Sequence, residues 1–113
     1  IKRYKNIKFD YKASKYIKEA GLIVNTTSLG MIGYPNLEVK LNKVNKEAII
    51  YDIVYNPINT NLIKDAKKHK LITITGLEMF IEQARASFFI WFGIQPKISN
   101  KLLTSLKKRI SKI

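Results

Sequence analysis

Short apolar runs alternate with amphipathic segments along the chain. The apolar runs are rich in β-branched residues and predict three strands, at residues 22–24, 48–54 and 71–75. Continuous apolar runs of this length are typical of parallel strands that are buried on both faces. We therefore expect these strands to form the centre of the fold.

Three amphipathic segments have apolar residues at spacings of three and four, which predicts helices at 60–70, at 77–92 and near the C-terminus. Thr60 or Asn59 is expected to cap the first helix, because such side chains accept the free N–H groups of a first turn. Trp91 and its phenylalanine neighbours are expected to pack in the core. The expected apolar faces are Leu62, Ile63 and Ala66, then Phe80, Ile81, Ala84 and Phe88, and finally Leu102, Leu103, Leu106 and Ile110.

Weaker signals occupy the N-terminal region and the loop after the first strand. Residues 1–5 are typical of a helix end, and the alternation over 7–11 predicts a short strand. A short helix is expected at 14–20, where Gly21 would end it. One helical turn is predicted near residues 41–44.

The order of these elements predicts an α/β fold, with a Rossmann-like parallel sheet and helices on both faces. Ligands of such folds bind beyond the carboxyl ends of the strands. In this chain those ends are followed by residues 25–31, 55–57 and 76–79, which are polar, aromatic or glycine-bearing. The pattern therefore predicts a binding site at this edge of the sheet.

The net charge of +13 adds a competing hypothesis, a small basic module that binds nucleic acid. Eighteen of the 21 basic residues are lysines, whereas nucleic-acid recognition favours the bidentate arginine side chain. We therefore expect no nucleic-acid partner. Because the chain has no cysteine and its longest apolar stretch is 88–94, we also expect no thiolate metal site, no membrane span and a cytoplasmic location.

Taken alone, the candidate site residues have ordinary structural explanations. Gly30 with its neighbouring hydroxyls could form a simple tight turn, and Tyr55 could be an aromatic residue that packs at a strand end. Gln83 could be an exposed helix residue. His69 has no partner at the spacing of a metal site or catalytic triad, so we assign no metal ligand.

Four segments, however, carry motifs in the order and spacing of a known family. They read N-T-T-S-L-G-M at 25–31, D-I-V-Y-N-P at 52–57, G-L-E-M at 76–79 followed by Gln83, and F-G-I-Q-P at 92–96. These segments resemble the N-A-T-x-x-G-M, D-x-x-Y-N-P, G-L-x-M-L-x-x-Q-A and W-x-G-x-x-P motifs of shikimate dehydrogenases. Thr26 replaces the usual alanine. The resemblance spans about residues 22–96.

The resemblance implies an NADP-dependent oxidoreductase that reduces 3-dehydroshikimate to shikimate on the route to chorismate and the aromatic amino acids. It implies that the Tyr55 hydroxyl and Gln83 bind the substrate and that Met79 packs on the nicotinamide ring. The backbone at Ile53 and Gly76 would border the same ring. Asn25 is expected instead to tie the turn at 25–31 together. The residues implied to lie near the cofactor are Thr27, Ser28, Leu29, Met31, Ile53, Gly76 and Met79.

The resemblance also implies parts that no segment of this sequence matches. Those parts are the glycine-rich phosphate turn, the basic segment that recognises the 2′-phosphate, and a substrate domain with a lysine–aspartate proton donor. We therefore expect residues 1–113 to be the C-terminal portion of an NADP-binding domain, truncated at its N-terminal side. No catalytic residue is assigned, and we expect the chain alone to be inactive. A paralogue specific for quinate or NAD remains an alternative, and the full-length protein could be a monomer or a homodimer.

Overall fold

The computed structural model describes residues 6–8, 10–11 and 13–112. The helix end expected at 1–5 and the middle of the strand expected at 7–11 lie outside the described residues. Ile7 and Tyr11 are described, and neither is part of a strand. The first described element begins at Ala13.

Three parallel strands form the sheet, in the order in which they occur along the chain. They are β1 (Leu22–Asn25), β2 (Ile49–Asp52) and β3 (Ile72–Ile74). The register pairs Asn25, the last residue of β1, with Asp52, the last residue of β2. The two strands therefore end at the same level. The predicted α/β fold with a parallel sheet is confirmed.

Helix α1 (Asn61–Lys68) connects β2 to β3 and packs against both strands. The Thr60 side chain accepts a hydrogen bond from the Ile63 N–H, which confirms Thr60 as the capping residue. The predicted apolar face is also confirmed, because Leu62, Ile63 and Ala66 are all buried.

The core lies between α1 and one face of the sheet. The other face carries exposed side chains, with Leu22 54%, Val24 40% and Ile72 59% exposed. The expectation that the strands are buried on both faces is therefore wrong for the described residues. Successive side chains point to opposite faces of a strand, and α1 covers only one of those faces. The buried residues of the core cluster are Ile17, Leu41, Val44, Ala48, Ile50, Leu62, Ala66 and Leu71.

The predicted helix at 14–20 is replaced by a short 3₁₀ helix, Ala13–Lys15, followed by turns. Of this segment only Ile17 is buried, so a helix there would have no apolar face to offset the cost of nucleation. The helical turn predicted near 41–44 is confirmed as the 3₁₀ helix Leu41–Lys43.

Helix α2 (Gly76–Phe92) begins at the sheet and extends well past it. A helix of this length measures about 26 Å, whereas a four-residue strand measures about 13 Å. Only Gly76, Leu77 and Ile81 are consequently buried in α2. The prediction that Trp91 packs in the core is wrong for the described residues, because its side chain is 74% exposed. The apolar face predicted for this helix is also wrong at Phe80, Ala84 and Phe88, because these three residues are exposed.

Helix α3 (Asn100–Ile110) is capped by Ser99, whose side chain accepts a hydrogen bond from the Leu102 N–H. Its predicted apolar side is half-buried at Leu103, Leu106 and Ile110. Within the part of the chain that the structure describes, no helix is long and apolar enough to cross a membrane.

Candidate functional site

The predicted segments meet at the carboxyl edge of the sheet. The Ile53 N–H donates to the Asn25 carbonyl at 3.2 Å, which extends the pairing of β1 and β2 by one residue. Beyond it, the Ile32 N–H donates to the Asn56 carbonyl at 3.2 Å. These two hydrogen bonds hold the turn after β1 against the segment that leaves β2.

The turn at 25–31 is organised by the buried side chain of Asn25. The Asn25 Oδ1 atom accepts hydrogen bonds from the Thr27 N–H at 3.1 Å and the Thr27 hydroxyl at 2.7 Å. The Thr27 Oγ1 atom in turn accepts from the Leu29 N–H at 3.1 Å. Gly30 follows with a φ of 92°, a conformation that favours glycine. Asn25 therefore ties the turn together, as predicted.

This arrangement sets which side chains of the turn face outward. Thr27 and Ser28 are exposed, whereas Leu29 and Met31 are half-buried. The Ser28 carbonyl accepts from the Met31 N–H at 3.1 Å, which places the two residues on neighbouring arms of the turn. The turn thus presents two exposed polar residues beside partly covered apolar side chains.

The segment that leaves β2 carries Ile53, which is half-buried, and Tyr55, which is 45% exposed. The Tyr55 ring stacks on the Phe80 ring of α2, with 5.4 Å between centroids. Among residues 6–8, 10–11 and 13–112, no group hydrogen-bonds the Tyr55 hydroxyl. Its ring is held by packing while the hydroxyl remains available.

Gly76 is the contact point between α2 and the end of β2. A Cβ atom added at Gly76 would lie 2.5 Å from the Val54 carbonyl oxygen and closer still to that of Ile53. Real side chains do not pack this closely, so only glycine allows α2 to begin here. The structure therefore gives Gly76 a packing role in addition to the cofactor role that the resemblance implies.

Met79 and Gln83 lie on the first turns of α2, on either side of Phe80 in sequence. Met79 is half-buried, and Gln83 is exposed with its Nε2 atom donating to the Phe80 carbonyl at 3.1 Å. Phe80 thus contacts both Tyr55 and Gln83, which are the two residues expected to bind substrate.

The nine predicted site residues follow the carboxyl ends of β1 and β2 or lie on the first turns of α2. A cleft of about 700 Å³ lies nearby, between the loop that holds Pro57, the start of α2 and the end of α3. None of the nine residues lines it. The cleft and the predicted site therefore involve different residues.

Sequence reasoning missed two residues that organise this edge, Asp52 and Thr60. The sequence assigns Asp52 no role beyond its place in the motif at 52–57, and it predicts Thr60 only as a helix cap. Asp52 is in fact fully buried and accepts a hydrogen bond from the Thr60 hydroxyl at 2.6 Å. The signal that could have identified Asp52 was its position at the end of an apolar strand, five residues before a proline.

Comparison with known proteins agrees with the motifs. The family model of the shikimate 5'-dehydrogenase C-terminal domain matches residues 76–99. A shikimate dehydrogenase (NADP(+)) from Cereibacter sphaeroides is 40% identical over 91 residues, which cover 80% of this chain and 33% of the relative. The chain therefore spans about a third of the length of the curated relative that it matches.

Solved structures show the same likeness in three dimensions. A Thermus thermophilus shikimate 5-dehydrogenase in complex with NADP(H) and shikimate superposes with a TM-score of 0.69 at 27% identity, over 85% of this chain and 36% of that one. A Corynebacterium glutamicum quinate dehydrogenase in complex with NAD gives a TM-score of 0.70 at 27% identity, over 88% and 33%. Motifs, relatives and fold agree: over most of its length, this chain is similar to shikimate dehydrogenases.

Proposed function

We propose that this chain supplies the nicotinamide and substrate edge of an NADP-dependent shikimate dehydrogenase, which reduces 3-dehydroshikimate to shikimate. One observation carries the proposal: the turn after β1, the exit of β2 and the start of α2 converge at the carboxyl edge of a parallel sheet. Ligands of α/β sheets bind at such an edge.

The residues present fit the nicotinamide end of the cofactor. A flat ring and its ribose need small polar groups beside apolar walls. The exposed polar residues Thr27 and Ser28 and the half-buried side chains of Leu29, Met31 and Met79 offer that combination. The close approach of Gly76 to Ile53 leaves no side chain between α2 and the exit of β2.

Substrate binding is assigned to Tyr55, whose ring stacks on the Phe80 ring, and to Gln83, whose Nε2 atom donates to the Phe80 carbonyl. A phenol donates a hydrogen bond to a carboxylate without adding charge. NADPH, when bound, supplies the hydride. The residues of this chain orient the ring and hold the substrate beside it, and we assign none of them the proton transfer.

We further propose that residues 1–113 correspond to the C-terminal portion of the NADP-binding domain. The phosphate-binding turn and the proton donor then belong to other parts of the full-length gene product. The coverage of about a third of the curated relative supports this assignment.

The test is a matrix of cofactors and substrates with the full-length gene product. We expect oxidation of NADPH with 3-dehydroshikimate at a kcat/KM at least about tenfold above that of any other combination. Absorbance of the reduced cofactor follows the reaction, with enzyme-free and substrate-free mixtures as controls. Absence of turnover with 3-dehydroshikimate would refute the proposal.

A second candidate is a paralogue that acts on quinate with NAD. It is favoured by the likeness to the Corynebacterium glutamicum quinate dehydrogenase in complex with NAD. The same matrix separates the two candidates, because this paralogue would reduce NAD faster with quinate than NADP with shikimate.

A further inference from the structure

Asp52 is a buried carboxylate at the centre of the site edge, and it has no assigned part in binding or chemistry. Its side chain is completely buried, and no salt bridge reaches it from residues 6–8, 10–11 or 13–112. Three donors satisfy it instead: the Asn25 amide and the Val54 N–H at Oδ1, both at 3.0 Å, and the Thr60 hydroxyl at Oδ2. A buried carboxylate is tolerated only with such a set of hydrogen bonds.

The first of these contacts orients the turn at 25–31 from its beginning. Because the Asn25 Nδ2 atom donates to Asp52, the Asn25 Oδ1 atom faces Thr27 and accepts from its N–H and hydroxyl. The same Nδ2 atom also donates to the Leu29 carbonyl at 3.0 Å. The orientation of one amide, set by Asp52, thus places Thr27 and Leu29.

The second contact supports the turn from its far end. With its hydroxyl bonded to Asp52, Thr60 presents its other side-chain atoms to Gly30. A Cβ added at Gly30 would lie 3.4 Å from the Thr60 Cβ atom and 3.5 Å from its methyl carbon. Thr60, whose hydroxyl Asp52 holds, therefore lies beside Gly30 at the distance of one additional carbon atom.

The third contact fixes the exit of β2. Asp52 accepts from the Val54 N–H, one residue before Tyr55, and the Val54 carbonyl lies against Gly76. The backbone path that brings the Tyr55 ring against the Phe80 ring therefore depends on the same carboxylate. Asp52 reaches both the cofactor-side turn and the substrate-side tyrosine through separate hydrogen bonds.

We propose that Asp52 is a positioning residue that fixes the cofactor-side turn and Tyr55 relative to each other, an inference that rests on the proposed function of this edge. All three groups that face the carboxylate donate hydrogen bonds. An asparagine at this position has the same shape, but its NH₂ group would either face the donors Asn25 and Val54 or force the Thr60 hydroxyl to accept instead of donate. The isosteric variant Asp52→Asn therefore weakens the hydrogen bonds that fix the two segments, without opening a cavity.

The test compares steady-state kinetics of Asp52→Asn, Asn25→Ala and Thr60→Ser in the full-length gene product. We expect Asp52→Asn to raise the KM for NADPH and the KM for 3-dehydroshikimate, each by about tenfold. Asn25→Ala and Thr60→Ser each loosen one end of the turn, so they should raise the KM for NADPH about threefold or more and leave the other KM within about twofold. Asp65→Asn, the same change at a partly exposed site on α1, is the matched control and should alter neither.

A purely structural role for Asp52 would lower thermal stability while both KM values stayed within about twofold of wild type, and that result would overturn the proposal. If Asp52→Asn does not fold, Asn25→Ala and Thr60→Ser decide the question. An unchanged KM for NADPH in both of these variants would contradict the proposed positioning role of Asp52. Amide hydrogen exchange adds a measurement that is independent of turnover. Asp52→Asn should speed exchange in peptides covering 25–31 and 53–56 even if the wild type proves inactive with 3-dehydroshikimate, whereas unchanged exchange there would refute the positioning role.

Discussion

Tyr55 combines a fixed ring with an available hydroxyl, which is the arrangement expected of a residue that binds a substrate carboxylate. Tyr55→Phe keeps the stacking on Phe80 and removes only the hydroxyl. We expect the Kd of shikimate to rise at least about tenfold, because a hydrogen bond to a charged group contributes roughly 1.5–3 kcal/mol. Calorimetric titration of the full-length gene product with shikimate and with NADP measures both affinities.

The Kd of NADP should stay within about twofold in the same variant. Tyr16→Phe, at a tyrosine far from the site edge in sequence, serves as the control and should change neither affinity. An equal loss of shikimate and NADP binding in Tyr55→Phe would contradict the assigned role.

Gly76 offers a test of packing at the same edge. Gly76→Ala forces the added Cβ against the carbonyls of Ile53 and Val54, so either α2 or the exit of β2 must move. We expect the free energy of unfolding to fall by roughly 1–3 kcal/mol. Gly21→Ala is the control, since a Cβ there meets no atom within 4 Å. Urea denaturation compares the two, and equal stability of the variants would be inconsistent with the described contact.

At the residue scale, the sequence predicted the role of Asn25 but not that of Asp52. Asn25 was predictable because asparagine commonly bonds its own backbone in a polar turn. The contacts of Asp52 join residues that are 27 and 8 positions away, and no local pattern encodes them. The roles of the nine site residues in cofactor and substrate binding stay predictions.

Helix α2 shows how a helix start contributes to the site. The Glu78 carboxylate accepts a hydrogen bond from the Thr75 N–H at 2.6 Å, which stabilises the turn where Gly76 meets the sheet. Glu78→Ala should therefore lower the free energy of unfolding by about 1 kcal/mol. The comparison is Glu82→Ala, one turn later, which removes only an exposed pair with Arg85.

Glu82→Ala is expected to cost at most about 0.5 kcal/mol, because exposed ion pairs contribute little. Urea denaturation of the two variants measures the difference. A larger loss in Glu82→Ala than in Glu78→Ala would contradict the capping role of Glu78.

At the element scale, the sequence predicted which elements form better than which faces are covered. Helix α1 was predictable down to its cap and apolar face, because Thr60 and the spacing of Leu62, Ile63 and Ala66 are local signals. The exposure of Val24 and Trp91 was not predictable, since an apolar side chain looks the same in sequence whether or not another element packs on it. The helix expected at 14–20 failed for a related reason, as only Ile17 reaches the core.

At the scale of the whole molecule, we expect residues 1–113 alone to show no oxidation of NADPH with 3-dehydroshikimate. We expect the nine site residues to contribute only one side of the site, and the resemblance assigns the proton donor to a different domain. The measurement is a turnover assay on the purified chain beside the full-length gene product. Turnover by the chain at a rate comparable to that of the full-length product would contradict this division of labour.

The net charge of +13 invites a second test at this scale. We expect nucleic acid to bind this chain only weakly and without sequence preference, because net charge alone supports nonspecific association. Filter binding at two salt concentrations with two unrelated sequences measures it. Tight binding that survives the higher salt concentration would favour the nucleic-acid hypothesis.

The most direct test of the central claim is a crystal structure of the full-length gene product with NADP and shikimate bound. We expect the nicotinamide ring to lie against Gly76 and the backbone at Ile53, with the Tyr55 hydroxyl within about 3 Å of the shikimate carboxylate. Binding of either ligand away from the carboxyl ends of β1 and β2 would contradict it.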